Sequence, residues 1–238
     1  MHAIAHRGAS AYAPENTAAA FDLAIEMRAD MIETDIQVTR DGHLVLIHDD
    51  LVDRTTNGHG PVSDHTLGEL RALDAGSWFG GDAQPATVPT LEEFIETWLP
   101  RIPACLEIKD PLAVTPTIDL LRALGPRDDI HVTSFSWTAL LHVRAGLDVT
   151  TGFLCRTFNE DIIERCVARG IVQICPPARQ LDSSLVDHAH ARGLTVRAWG
   201  VGSRDDVDRV FDTGADGATT NWPDWMTEHP GYAGESRA

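Results

Sequence analysis

The chain has 238 residues, 43% of them hydrophobic, which is enough for one sizeable core. Acidic residues number 36 against 19 basic ones, and the formal charge of -17 makes a surface that repels nucleic acid and anionic membranes. No run approaches the ~20 apolar residues of a membrane span, and the opening MHAIAHRG has no secretory pattern. A cytoplasmic protein with no nucleic-acid partner and no stable membrane association is expected.

Strand-like and helix-like patterns then alternate along the chain. Ala3 to His6 reads as a strand and Thr17 to Met27 as an amphipathic helix that Asn16 or Thr17 can cap. Met31 to Val38 is a strand, followed by a tight turn, a short second strand and a polar, glycine-rich stretch from Asp50 to about Val88. Thr90 to Leu99 opens the next helix. Further strands are expected at 104–109, 130–135, 150–155, 171–175, 195–201 and 217–221, with helices near 115–124, 137–145, 160–168, 183–191 and 204–212.

With the hairpin's second strand set aside, these make about eight strand–helix units, the number that a closed (β/α)8 TIM barrel requires. Short, continuous apolar strands fit a parallel sheet covered on both faces. The competing open doubly wound sheet lacks its Gly-rich dinucleotide fingerprint after the first strand. One α/β domain over 1–226 is expected, with a small insertion at about 50–88 after the second barrel strand. Residues 227–238 read as a polar, loose C-terminal tail. Cys105, Cys155, Cys166 and Cys175 have no metal or redox spacing and read as reduced thiols, three of them in apolar strand-like segments.

The strand carrying Glu33 and Asp35 holds the densest chemistry. Asp41-Gly42 favours a two-residue turn, which would set Arg40 opposite His43 and Asp35 opposite His48. Glu33 and Asp35 lie two residues apart and share a face. Two carboxylates and an imidazole then converge, a pattern that suits a hard divalent cation; a solvated hairpin face would show the same alternation. Barrel chemistry sits at the carboxyl ends of the strands. There the sequence places His6-Arg7-Gly8, the pair Glu107 and Lys109, Trp199 and Asn221. Glu107 and Lys109 could equally be a mutual salt bridge.

HRGASAYAPENT at 6–17, IETDIQVTRDGHLVLIHDDLVDRTTNGHG at 32–60 and LEIK at 106–109 resemble the glycerophosphodiester phosphodiesterases. Shorter blocks follow at Ser134-Phe135, VRAW at 196–199 and DGATTNWP at 216–223. The resemblance implies a (β/α)8 barrel that binds one divalent cation, Mg2+ or Ca2+, through Glu33, Asp35 and Glu107. It implies His6 and His48 as general acid and base, and Arg7 and Lys109 as phosphate-holding groups. The implied reaction splits a small-molecule glycerophosphodiester into sn-glycerol 3-phosphate and an alcohol. Trp199 could pack on the glycerol or the leaving group, or belong to the core. Three positions depart from the family's pattern: Asn221 where Asp is frequent, Gly200-Val201-Gly202 where Thr-Val-Asn is usual, and Arg28 where Gly is common.

Two other functions compete. One is a lysophospholipase D-type lipid phosphodiesterase on the same scaffold, which would want an apolar rim such as Trp78-Phe79. The other is a non-catalytic phosphodiester-binding barrel, which would be expected to have lost a histidine or a carboxylate. Both a monomer and a homodimer are compatible with the chain.

Overall fold

The computed structural model describes residues 1–233. Strand β1 (His2–His6) is followed by α1 (Ala18–Glu26), β2 (Met31–Val38), β3 (Leu44–Leu46), α2 (Leu67–Arg71) and α3 (Leu91–Thr97). Then strands and helices alternate strictly: β4 (Ala104–Ile108), α4 (Val114–Leu124), β5 (Ile130–Ser134), α5 (Trp137–Gly146), β6 (Thr150–Leu154), α6 (Glu160–Ala168), β7 (Gln173–Cys175) and α7 (Ser183–Ala191). The last elements are β8 (Thr195–Val201), α8 (Arg204–Asp212), β9 (Gly217–Thr220) and α9 (Pro223–Thr227). The strands other than β3 pair in parallel, and β1 closes the ring by pairing with both β2 and β9. This is the eight-stranded TIM barrel that the sequence leads one to expect.

Alternation along each strand sorts the side chains. Ile32, Ile36, Leu106, Ile108 and Val132 face outward and pack with Phe21, Phe94 and Trp98 of the surrounding helices. A second cluster does the same around β6 to β9. Inside the barrel the residues are unusually polar: Arg197, Gln173, Thr219 and Cys175 form one hydrogen-bonded group. The four cysteines are free and buried, and burial pushes the Cys105 and Cys166 thiols up to about 12.

Helix starts follow capping chemistry. Thr90 Oγ1 accepts the Glu93 N–H while Glu93 accepts the Thr90 N–H, and Ser136, Asn159, Asp182 and Ser203 cap α5 to α8. Helix α1 differs from expectation, because neither Asn16 nor Thr17 caps it. The Thr17 hydroxyl donates to Pro14 O at 2.6 Å, and Asn16 turns into the barrel mouth.

The hairpin register also differs from the expected one. Its loop is three residues, Arg40-Asp41-Gly42, with Thr39 N–H donating to His43 O at 2.9 Å and Gly42 at φ +87°. Thr39 Oγ1 bridges the loop, donating to Asp41 and accepting from His43 N–H, which favours this longer turn. The ladder therefore shifts by one: Ile36 pairs Leu46, and Ile47 rather than His48 reaches Asp35.

The insertion has its own small core of Val45, Ile47, Val52, Val62, Leu70, Ala75 and Val88. The expected loose tail is partly docked: His229 stacks on Phe211 at 3.8 Å, and Tyr232 Oη donates to Asp30 at 2.8 Å. Residues 234–238 lie outside the described residues.

Two backbone features flank α1. Gly8 has φ +80°, and a Cβ there would meet the Ala20 backbone at 2.5 Å, so the loop after β1 can lie tight against α1. Arg28, just past α1, has φ +61°, the left-handed conformation that glycine takes freely. Arg28→Gly relieves that strain at some cost in unfolded-chain entropy, and a gain of about 0.5–1 kcal/mol is expected. A urea midpoint that fails to rise in this variant would refute the account.

Candidate active site

The carboxyl ends of β1, β2 and β4 bring the chemistry together. Strands β2 and β4 pair with Asp35 beside Glu107, and β1 with β2 sets His6 beside Glu33. Glu33, Asp35 and Glu107 are 3%, 0% and 8% exposed, which excludes the solvated hairpin face. Each offers an oxygen within 4.8 Å of the others, the one such acidic cluster among the described residues.

Burial, and then mutual repulsion, push the Glu33 and Glu107 carboxyls above their usual range. Cations offset this. Arg7 Nε lies 3.2 Å from Asp35 Oδ2, and the Arg7 backbone N–H donates to Glu33 at 3.0 Å. Lys109 Nζ is 3.1 Å from Glu107 and 3.8 Å from Asp35. Arg7 holds φ +57°, a strained value at which its amide and guanidinium reach two different carboxylates. Asn16, at φ +55°, donates to Asp35 Oδ2 at 3.0 Å and accepts from Thr34 at 2.7 Å.

One oxygen is left over. Asp35 Oδ1 is buried without a hydrogen-bond partner, in the middle of a three-carboxylate set. A buried carboxylate oxygen with no donor is costly unless a ligand completes it. An all-oxygen donor set suits a hard divalent cation, so the residues fit such an ion.

Two imidazoles flank the carboxylates. His6 Nδ1 lies 2.6 Å from Asn221 Oδ1, leaving Nε2 4.0 Å from Glu33. Burial first, and the Arg7 charge second, lower His6 to about 4. His48 arrives despite the shifted register because the chain leaves the ladder after Leu46. Gln37 Nε2 then holds the His48 and Asp49 carbonyls at 3.1 and 2.6 Å. His48 Nδ1 bonds Asp49 at 2.6 Å, and its Nε2 lies 3.0 Å from Lys109 Nζ.

An ion-pair chain ties the two histidine loops together. Arg54 grips Asp49 at 2.6 Å and Glu15 at 2.8 Å, and Glu15 also accepts from Arg7 at 2.8 Å. Against its burial, Arg54 and Arg7 draw the Glu15 carboxyl down to about 2.

All eight expected site residues thus lie at one end of the barrel, and His6, Arg7, Glu33, His48, Glu107, Lys109 and Trp199 line a single cleft of about 400 Å³, with Asp35 bonded just beneath. Trp199 donates to Cys155 O at 3.2 Å and meets Phe135 edge-on at 5.7 Å. A larger hollow of about 1130 Å³ between α1, α3 and residues 79–87 contains no histidine. Asp49 and the buried Arg197 were not legible from sequence as site-supporting groups. An Asp adjacent to His48 was the available signal for the first, and an Arg at an inward-facing strand position for the second.

Comparison with known proteins agrees with this geometry. Residues 6–225 match the glycerophosphoryl diester phosphodiesterase family. A glycerophosphodiester phosphodiesterase of Caldanaerobacter subterraneus is 35% identical over 94% of this chain and 95% of its own length. One from Bacillus subtilis is 32% identical over 93% of this chain and 83% of its own. The structure of an Oleispira antarctica phosphodiesterase in complex with the product sn-glycerol-3-phosphate superposes with a TM-score of 0.89 at 29% identity, covering 94% of each chain. A barrel carrying this acidic cluster, matched along nearly its whole length, belongs to the glycerophosphoryl diester phosphodiesterase family.

Proposed function

We propose that the protein is a divalent-metal-dependent phosphodiesterase that hydrolyses small glycerophosphodiesters to sn-glycerol 3-phosphate and an alcohol. The observation that carries this reading is the meeting of three buried carboxylates, two imidazoles and two cations in one cleft. The product named for the Oleispira antarctica structure supports the choice of substrate.

Glu33, Asp35 and Glu107 would hold one cation, Mg2+ or Ca2+, with Asp35 Oδ1 as the oxygen that lacks a hydrogen-bond partner. When bound, that ion supplies Lewis-acid stabilisation of charge developing on the phosphoryl oxygens. Arg7 and Lys109 hold the phosphate and offset the carboxylates that would otherwise repel it. His6, with Nδ1 engaged by the Asn221 side-chain carbonyl, presents a bare Nε2, and its lowered pKa keeps it neutral near pH 7. It suits the general base. His48, its ring oriented by the Asp49 carboxylate at Nδ1, takes the remaining role of general acid towards the leaving alkoxide. Hydrolysis then balances: water's oxygen ends on phosphorus and a proton on the alcohol. Trp199 walls the cleft beside the substrate.

The lipid-directed alternative has one observation in its favour, the exposed Tyr12, Leu51 and Leu112 on loops after β1, β3 and β4. Charged Glu15, Asp49, Arg54 and Asp110 occupy the same loops, so the small polar substrates fit better. No helix among the described residues is long and apolar enough to cross a membrane.

Release of glycerol 3-phosphate from glycerophosphodiesters should require Mg2+ or Ca2+ and stop with chelator; chelator-insensitive turnover would remove the metal from the account. His48→Ala is expected to lower kcat by about 10²-fold or more with an unchanged circular dichroism spectrum. Near-normal turnover in that variant would sink the acid–base assignment. For Glu107→Gln, the metal concentration giving half-maximal activity should rise at least about tenfold. An unaltered metal dependence would show that Glu107 is not a ligand.

A further inference from the structure

The cleft has two unlike walls. Strands β1, β2 and β4 and the segments after them, with the segment after β3, supply His6, Arg7, Glu33, His48, Glu107 and Lys109, while β5, β6 and β8 and the segments after them supply Phe135, Leu154, Arg156 and Trp199. In the closed strand order β6 lies across the barrel from β1 and β8 across from β4, while β5 adjoins β4 and leads the second wall away from it. The glycerol half of a glycerophosphodiester carries two free hydroxyls and needs acceptors, which the carboxylate wall has. The far wall offers two rings, a leucine and the exposed Arg156 guanidinium, with the buried Arg197 held by Gln173 and Thr219, and is left for the variable alcohol.

We infer, resting on the hydrolytic reading above, that Arg156 selects this alcohol: the far wall takes alcohols carrying an anionic group in preference to cationic ones. Two neighbouring aromatic rings would ordinarily invite a quaternary ammonium. Here the Phe135 face is already occupied, with the Arg156 guanidinium 4.7 Å from the ring centroid. Phe135 in turn meets Trp199 at 5.7 Å and 81°, and the Trp199 N–H is spent on Cys155 O. A cationic head group approaching Phe135 meets a positive charge instead of an open face.

Arg156 is exposed and makes no ion pair among the described residues, in a chain with 36 acidic side chains. Its one hydrogen bond runs through the backbone, from Gln180 Nε2 to Arg156 O at 3.0 Å. The guanidinium is thus held in place by a ring and left free along its donor edge. That planar edge matches a carboxylate or a phosphate. Arg7 and Lys109, by contrast, are already bonded to carboxylates on the opposite wall.

Glycerophosphoserine and glycerophosphoethanolamine differ by one carboxylate and separate the effect. Wild-type kcat/KM should favour the serine diester by roughly three- to tenfold, a range set by a partly solvated charge pair. Arg156→Gln should bring the ratio to about one, and Arg156→Glu should invert it. Raising the salt should shrink the wild-type ratio as the charge is screened. A wild-type ratio of one or less, or a ratio that Arg156→Gln leaves intact, would overturn the inference. Absence of glycerol 3-phosphate from both diesters would overturn the hydrolytic reading on which it rests.

Discussion

Three carboxylates lie together in the interior of the barrel, out of water, and much of the surrounding structure answers that one electrostatic demand. Removing ions from water costs several kcal/mol each unless neighbours compensate. Arg7, Lys109 and Arg197 each lie close enough to act on this cluster. Asn16 satisfies one Asp35 oxygen, and the strained backbone of Arg7 lets one residue serve two acids. Farther out, Glu15, Arg54 and Asp49 continue the alternation of sign until it ends on His48. The charges at the site form a connected array in which position and protonation are set jointly.

The same arrangement explains how a chain of formal charge -17 can take an anion. At physiological salt, exposed charges are screened beyond roughly 8–10 Å. What an entering phosphodiester meets is therefore local: Arg7 and Lys109 beside the carboxylates, and Arg156 across the cleft. The global balance bears on partners and solubility, and the cleft obeys its own.

Much of this was legible in the chain because two periodicities carry it. The spacing of two along β2 and β4 put Glu33 with Asp35 and Glu107 with Lys109, and strand ends marked the mouth. Element boundaries for β2, α6, α7, β8 and α8 coincide with the sequence reading. Failures came where side chains override local rules. The Thr39 hydroxyl, bonded to both sides of the turn, lengthened the hairpin loop that Asp41-Gly42 alone would have made shorter. Asn16 looked like a helix cap, but a buried carboxylate is a stronger claim on its amide. The supporting roles of Asp49 and Arg197 depend on neighbours distant in sequence, which periodicity does not report. His48 reached its place in spite of a wrong register because Gln37 holds the chain just past the strand end.

The insertion after β3 packs its apolar side chains chiefly on one another, with Val45 and Ile47 as its root in the hairpin. Its cohesion is therefore largely its own, while the barrel's strands are held by separate clusters. Such a part can lengthen, shorten or be replaced over evolutionary time with little penalty to the ring beneath it. The link to the chemistry runs through Arg54, whose grip on Asp49 and Glu15 spans from the insertion to the loops that carry His48 and Arg7. Variation in this module can accordingly diversify what reaches the mouth of the barrel, provided that one guanidinium keeps its place.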